Sequence, residues 1–282
     1  MLLRWALDDS SEPVVVAALD ALHALVCRSV EERAVERMWA WHLAHTRPAL
    51  VPAATRDKAT QPEPVDEENV EEETDADVCK RDVVLALVSR MELLSRLRYV
   101  LTSVRPQAVT VTNVLNILSR AAQHSLSTAY QIVKCPGLLD VICKEFLPTA
   151  WELRDPQSRV SCVYGLPVAA ALRLVCSLCQ AGRNIAASLV CKYQLHMRLL
   201  RYLAVPYRDL HLPPQEAVSV QVQALALWRV TAAYGLATDT FFDLYPTLLP
   251  CVGAIGQRWR AAQPVVDDQM VTGGVDSGDQ MV

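Results

Sequence analysis

Apolar residues recur every three to four positions along most of this 282-residue chain, and they are densest from Leu166 to Val205, LPVAAALRLVCSLCQAGRNIAASLVCKYQLHMRLLRYLAV. At that spacing Leu172, Val175, Cys176 and Cys179 share one face of a helix, and Pro167 suits a first turn, where its missing N–H costs nothing. Gly182 is expected to end this helix in the left-handed conformation. Ile185, Leu189, Leu195, Leu199, Leu200 and Leu203 then form a second apolar stripe, with Arg198 and Arg201 set between its members. Two such helices cannot bury both faces alone, so the pattern predicts stacked helical hairpins.

The same period marks other segments. Leu2 to Leu7 reads as a helical run. Ser10, Ser11, Glu12 and Pro13 read as the start of a helix that carries Val15, Ala18, Leu19, Leu22, Leu25 and Val26 on one face. Trp39, Trp41 and Leu43 mark a further segment closed by Pro48 and Pro52. From Ala53 to Asp77 the period disappears. It resumes as one long stripe from Val83 to Leu101, ending before Pro106, and then as a helix over Gln107 to His124. A helix through Ala129, Ile132 and Val133 stops at Pro136 and Gly137, and Leu138 to Phe146 follows it. Pro148 to Gly165 reads as a connecting loop. Pro213 and Pro214 start a helix whose apolar face includes Val218, Val222, Leu225 and Trp228 and which ends at Gly235, and a last amphipathic piece, Phe241 to Leu249, is bent or ended near Pro246. After Trp259 the sequence changes character, with DQMV at Asp268 and again at Asp279 among turn-forming residues.

The fold class this predicts is all-α, an armadillo- or HEAT-like α-solenoid of stacked helical hairpins. The expected division is a partial helical repeat unit over 1–52, an acidic linker or loop over 53–79, a solenoid body over 80–259 and a disordered tail over 260–282.

Composition sharpens this picture. A chain that is 52% hydrophobic has a core to build. Its nine glycines leave little room for phosphate-cradling loops. No apolar run reaches the ~18 residues of a membrane span, and Arg173 interrupts the most apolar window. Nine cysteines at scattered spacings are expected to be reduced thiols. The net charge of −4 is uneven: Val65 to Val78 holds eight carboxylates (Asp66, Glu67, Glu68, Glu71, Glu72, Glu73, Asp75 and Asp77) and no basic residue, so the remainder carries +4. That is too weakly basic to call for nucleic acid.

Motifs for chemistry are sparse. Cys176 and Cys179 form a CxxC, but no second pair completes a zinc site, and both thiols share the apolar face of a helix, where cysteine packs as a small hydrophobe. His42 and His45 stand three apart with no further ligand at matching spacing. There is no GxSxG, glycine-rich phosphate loop or HExxH. No catalytic, cofactor-binding or metal-binding residue is therefore assigned. The candidate protein-binding residues are Arg96, Arg98 and Tyr99 in RLRY, and Arg198, Arg201 and Tyr202 in RLLRY. There guanidinium groups stand beside an aromatic ring and can grip an acidic peptide or a phosphate backbone. Solvated faces with apolar stems laid along the surface are the plainer reading.

Four stretches, DVVLALVSRMELLSRLRYVL, ILSRAAQHSLSTAYQIVKCPGLLDVICKEFLPTAW, AAALRLVCSLCQAGRNIAASLV and ALALWRVTAAYGLATDTFFDLYPTLLP, resemble a region of the RNA polymerase II-associated protein 1 family. The resemblance covers about Met1 to Pro250. It implies a large helical, armadillo-like scaffold without catalytic residues. Its implied partners are RNA polymerase II subunits and chaperone or assembly factors, in support of polymerase assembly, nuclear import and transcription, in the nucleus with a cytoplasmic pool. It implies no cofactor, membrane, small-molecule substrate or direct nucleic-acid contact. Family members are much longer on both sides, so a fragment or splice form is expected, and the tail after about Gly256 departs from the family's pattern. The competing expectation is a transport-receptor-like solenoid that grips a basic localisation peptide. It calls for an acidic groove, whereas the helical body is net positive.

Overall fold

Helices that are apolar on one face bury it against one another, and in this chain they do so as a single continuous core. The computed structural model describes residues 2–27, 83–90, 92–102, 107–147, 165–204, 206–210, 212–236 and 238–262. Every regular element among them is helical, which establishes the all-α class. In chain order these are α1 (Leu2–Leu7), α2 (12–27), α3 (Val83–Arg90), α4 (Leu93–Thr102), α5 (Ala108–His124), α6 (Leu126–Lys134), α7 (Leu138–Glu145), α8 (Gly165–Ala181), α9 (Arg183–Tyr193), α10 (Leu195–Ala204), a 3-10 turn (Tyr207–Leu210), α11 (Pro214–Ala233) and α12 (Thr238–Ala262). The segment around Trp39 and Trp41, the acidic run, the Pro148 to Tyr164 stretch and the 263–282 tail lie outside the described residues.

Side-chain pairings fix how three of the helices lie. Gln107, which precedes α5, donates to Glu12 of α2 at 3.3 Å, and Asn113 donates to Asp20 at 2.9 Å. Numbers rise together, so α2 and α5 run parallel. The same holds for α5 and α8, where Arg173 meets Asn116 and Ser177 meets Ser119. On its other side α8 packs along α11. Flanked on both sides, α8 buries Val168, Ala171, Leu172, Leu174, Val175, Leu178 and Cys179, as expected of a helix apolar almost all round. Arg173 is exposed on this otherwise buried helix.

Short helices join these long ones. Ser125 opens α6, its hydroxyl accepting the Thr128 N–H at 3.1 Å. Gly137, at φ 71°, turns the chain from α6 into α7, where the Pro-Gly signal predicts the break. Gly235, at φ 70°, ends α11 as expected, with the Leu236 N–H bonded to the Thr231 carbonyl at 3.0 Å.

Four boundaries correct the sequence reading. Gly182 is extended (φ −174°, ψ 150°) and serves as the N-cap of α9, so the α8–α9 corner needs no left-handed residue. The stripe from Val83 to Leu101 is two helices, broken at Glu92 (φ 49°), and the stripe from Ile185 to Leu203 is broken at Gln194 (φ 49°, ψ 44°). A one-residue left-handed turn redirects the axis without changing which residues are apolar, so the period continues across it. Finally, α12 continues through Pro246 and Pro250 to Ala262. Burial of Leu248 and Ile255 on its core side opposes the local penalty of proline.

Candidate protein-interaction surface

The basic and aromatic candidates occupy different environments. Arg96 forms an ion pair with Asp8, just after α1. Arg98 donates to the carbonyl of Pro136 and lies beside Gly137. Arg198 donates to the Cys143 carbonyl at 2.9 Å and to the Leu147 carbonyl, satisfying acceptors that the end of α7 leaves open. Tyr202 is fully buried, and its backbone carbonyl accepts from Gln221 at 3.3 Å. The Arg201 side chain lies outside the described residues. Tyr99 is 59% exposed and stands one turn beyond Arg96, while Trp5, 72% exposed, stands one turn before Asp8. Two solvent-facing aromatics therefore flank the Arg96–Asp8 pair. Arg96, Arg98 and Arg198 hold helices in place.

A second cluster clasps α7 from the α9 side. Tyr193 donates to Asp140 Oδ1 at 2.8 Å, and Lys192 Nζ approaches the same oxygen at 2.9 Å while lying 4.9 Å above the Tyr193 ring. Hydrogen bonds from Lys192 and then Tyr193 hold the Asp140 carboxyl below its ordinary range. Burial pushes the Tyr193 hydroxyl up to about 12.

The thiols of the CxxC lie in the core, matching the packing role read from their helical face. Burial pushes Cys176 up to about 12, against a downward pull from Arg229, and raises Cys179 well above the ordinary value. Such thiols are poor nucleophiles and poor metal ligands. Among the described residues no group of three His, Cys, Asp or Glu side chains is placed to hold a metal ion, and His42 and His45 lie outside them. No helix of the described residues is long and apolar enough to cross a membrane. A shallow depression of about 250 Å³ lined by Val88, Leu94, Gln131 and Lys134 is below the ~300–1,000 Å³ of small-molecule sites.

A further polar arrangement lies where α5 meets α8, and its signal in the sequence is a lone guanidinium in an apolar helix. The Ser119 and Ser177 hydroxyls meet at 2.9 Å in the buried floor of this seam. Ser177 also bonds to the Arg173 carbonyl at 3.0 Å and accepts from Gln123 Nε2 at 3.1 Å. Above this floor Arg173 leans on Asn116 Oδ1 and Arg120 on Gln123 Oε1, each at 3.5 Å. Both arginines are exposed, and neither has a carboxylate partner among the described residues. Arg229, on the neighbouring α11, lies close enough to influence Cys176, one turn beyond Arg173.

Comparison with known proteins gives three relatives, each called RNA polymerase II-associated protein 1. The human protein is 38% identical over 275 residues, covering 93% of this chain. The rat protein is 36% identical over 256 residues and the bovine protein 34% identical over 277, covering 88% and 93% of this chain. The chain spans only 18 to 19% of the length of these relatives. No protein-family profile and no solved structure matches it.

Proposed function

This chain is related to one segment of RNA polymerase II-associated protein 1, and from that premise we propose that it is a non-enzymatic scaffold segment that binds RNA polymerase II. In this reading it links the polymerase to chaperone and assembly factors in support of assembly, nuclear import and transcription. It acts in the nucleus, with a cytoplasmic pool. The observation that carries the proposal is sequence identity of 34 to 38% across about nine-tenths of the chain to proteins named for that association.

The helical arrangement favours a binding role over catalysis. Parallel α2, α5 and α8 lie edge to edge, the relation expected of equivalent helices in successive repeats, and this supports an α-solenoid arrangement. Such arrays offer extended surfaces to protein clients. Exposed Tyr99 and Trp5 are the proposed contact aromatics, positioned through the Arg96–Asp8 pair, while Arg98 and Arg198 set the helix ends behind them.

The test is affinity purification of the tagged full chain from nuclear and cytoplasmic extracts treated with nuclease, with polymerase subunits identified by mass spectrometry. Recovery of polymerase subunits, reduced by Tyr99→Ala together with Trp5→Ala, is expected. Recovery no greater than from a tag-only control refutes the proposal.

A further inference from the structure

The α5–α8 seam has features that an ordinary solvated surface lacks. Two guanidinium groups are exposed on adjoining parallel helices, and each rests on the oxygen of a neutral side-chain amide. Amide oxygens orient a guanidinium but do not neutralise it. Asp20, the carboxylate one turn back along the α2–α5 contact, is taken by Asn113 at 2.9 Å. Beneath the arginines, Ser119, Ser177 and Gln123 are already bonded to one another, so the floor is polar and satisfied. It suits a polar ligand better than an apolar side chain. The α5–α8 contact is the most extensive helix pair among the described residues, so the arginines stand on a firmly packed base.

We propose that the Arg120–Arg173 seam is a docking site for an acidic, aspartate- and glutamate-rich peptide segment of a partner protein. Charge complementarity carries the choice: the chain outside Val65–Val78 is net positive, and here its positive charge is exposed and, among the described residues, unmatched by carboxylates. Each guanidinium fork takes one carboxylate of the ligand. Nucleic acid is disfavoured, because among the described residues no exposed ring stands beside these arginines to stack a base. This proposal does not depend on the partner being the polymerase.

The probe is a fluorescein-labelled acidic peptide with the sequence VEEETDADV, titrated with the full chain in low salt and followed by anisotropy. Saturable binding is expected, with no binding of the Gln/Asn-substituted neutral peptide. Arg120→Ala with Arg173→Ala should weaken binding tenfold or more, and Arg120→Lys with Arg173→Lys should weaken it less. Arg260→Ala, an exposed charge on α12, should leave it unchanged. Both seam arginines are exposed, so the far-UV circular dichroism of these variants should match the parent.

Four results overturn the proposal. One is no binding by the full chain, and another is equal loss in the Arg260 variant, which marks diffuse attraction. The third is binding that appears only after the chain's own Glu71, Glu72, Glu73, Asp75 and Asp77 are changed to Gln or Asn, which makes that run the occupant. A phosphothreonine peptide that binds with the same seam dependence where the carboxylate peptide fails also overturns it.

Discussion

The hydroxyls of Ser119 and Ser177 meet at 2.9 Å, buried between two parallel helices. The pair is asymmetric. Ser177 also engages the Arg173 carbonyl and Gln123, so its removal leaves two buried or half-buried groups without their partner. Ser177→Ala is expected to destabilise the fold by about 1–3 kcal/mol and Ser119→Ala by about 1 kcal/mol or less. The double variant should cost less than the sum, because no buried hydroxyl then remains unmatched. Urea unfolding of the four proteins gives the coupling directly. A sum that is simply additive would mean that the two hydroxyls do not interact.

Arg198 binds two carbonyls at the end of α7, and that role differs from simple packing of its stem. Arg198→Met keeps the stem and removes the donors. Loss of about 1.5–3 kcal/mol is expected, the range for hydrogen bonds from a charged group. If Arg198→Met unfolds at the parent's urea midpoint while Arg198→Ala does not, the stem is the contributor and the carbonyl contacts are incidental.

Three core thiols give a pH-dependent prediction. Burial pushes Cys143 and Cys176 up to about 12, and raises Cys179 strongly. In the unfolded chain a thiol ionises near pH 8.5. Between that value and the folded value the native state holds the extra protons, so stability is fully present below about pH 8.5 and falls as pH rises above it. Urea midpoints measured from pH 7 to 10 should decline only in the upper part of the range. In iodoacetamide labelling at pH 8, mapped by mass spectrometry, exposed Cys191 should react fully while Cys143, Cys176 and Cys179 remain largely unmodified. A chelator should change nothing at Cys176 or Cys179. Rapid labelling of either would contradict their burial.

Much of this fold was legible because burial follows spacing. The apolar positions of α5 and α8 name their own buried faces, and Pro136-Gly137 and Gly235 mark turns whose backbone requires what those residues supply. On α11 spacing points to the wrong side: Val222, Leu225 and Trp228 are only half-buried, and Ala217, Val220, Gln221, Ala224 and Leu227 face the core, because small residues and a glutamine fill the close contact with α8. The breaks at Glu92 and Gln194 were not legible, since each puts a residue with a Cβ into the left-handed region and leaves the apolar period intact. The surface was harder still. Arg98 and Arg198 look like free charges beside aromatics, but their partners are main-chain carbonyls 38 to 55 residues away, which carry no side-chain signature. Arg120 and Arg173 gave the opposite problem. Their meaning depends on two helices lying parallel in one register, and spacing within either helix does not encode that.

Gln194 offers the sharpest test of that register. Lys192 and Tyr193, before it, reach Asp140 near the start of α7, whereas Arg198, after it, reaches carbonyls at the end of α7. The left-handed turn redirects the chain between those two clasps. A left-handed backbone costs a residue with a Cβ about 1–2 kcal/mol, and glycine avoids this while losing about 0.5–1 kcal/mol of unfolded-chain entropy. Gln194→Gly should therefore raise stability by about 0.5 kcal/mol, and Gln194→Val should lower it by at least 1 kcal/mol, because a β-branched side chain fits that region worst. A continuous helix from Arg183 to Ala204 predicts the opposite sign for glycine, a loss of roughly 0.5–1 kcal/mol relative to a good helix former. Urea unfolding with an unchanged slope separates the two, and a destabilised glycine variant would mean that α9 and α10 are one helix.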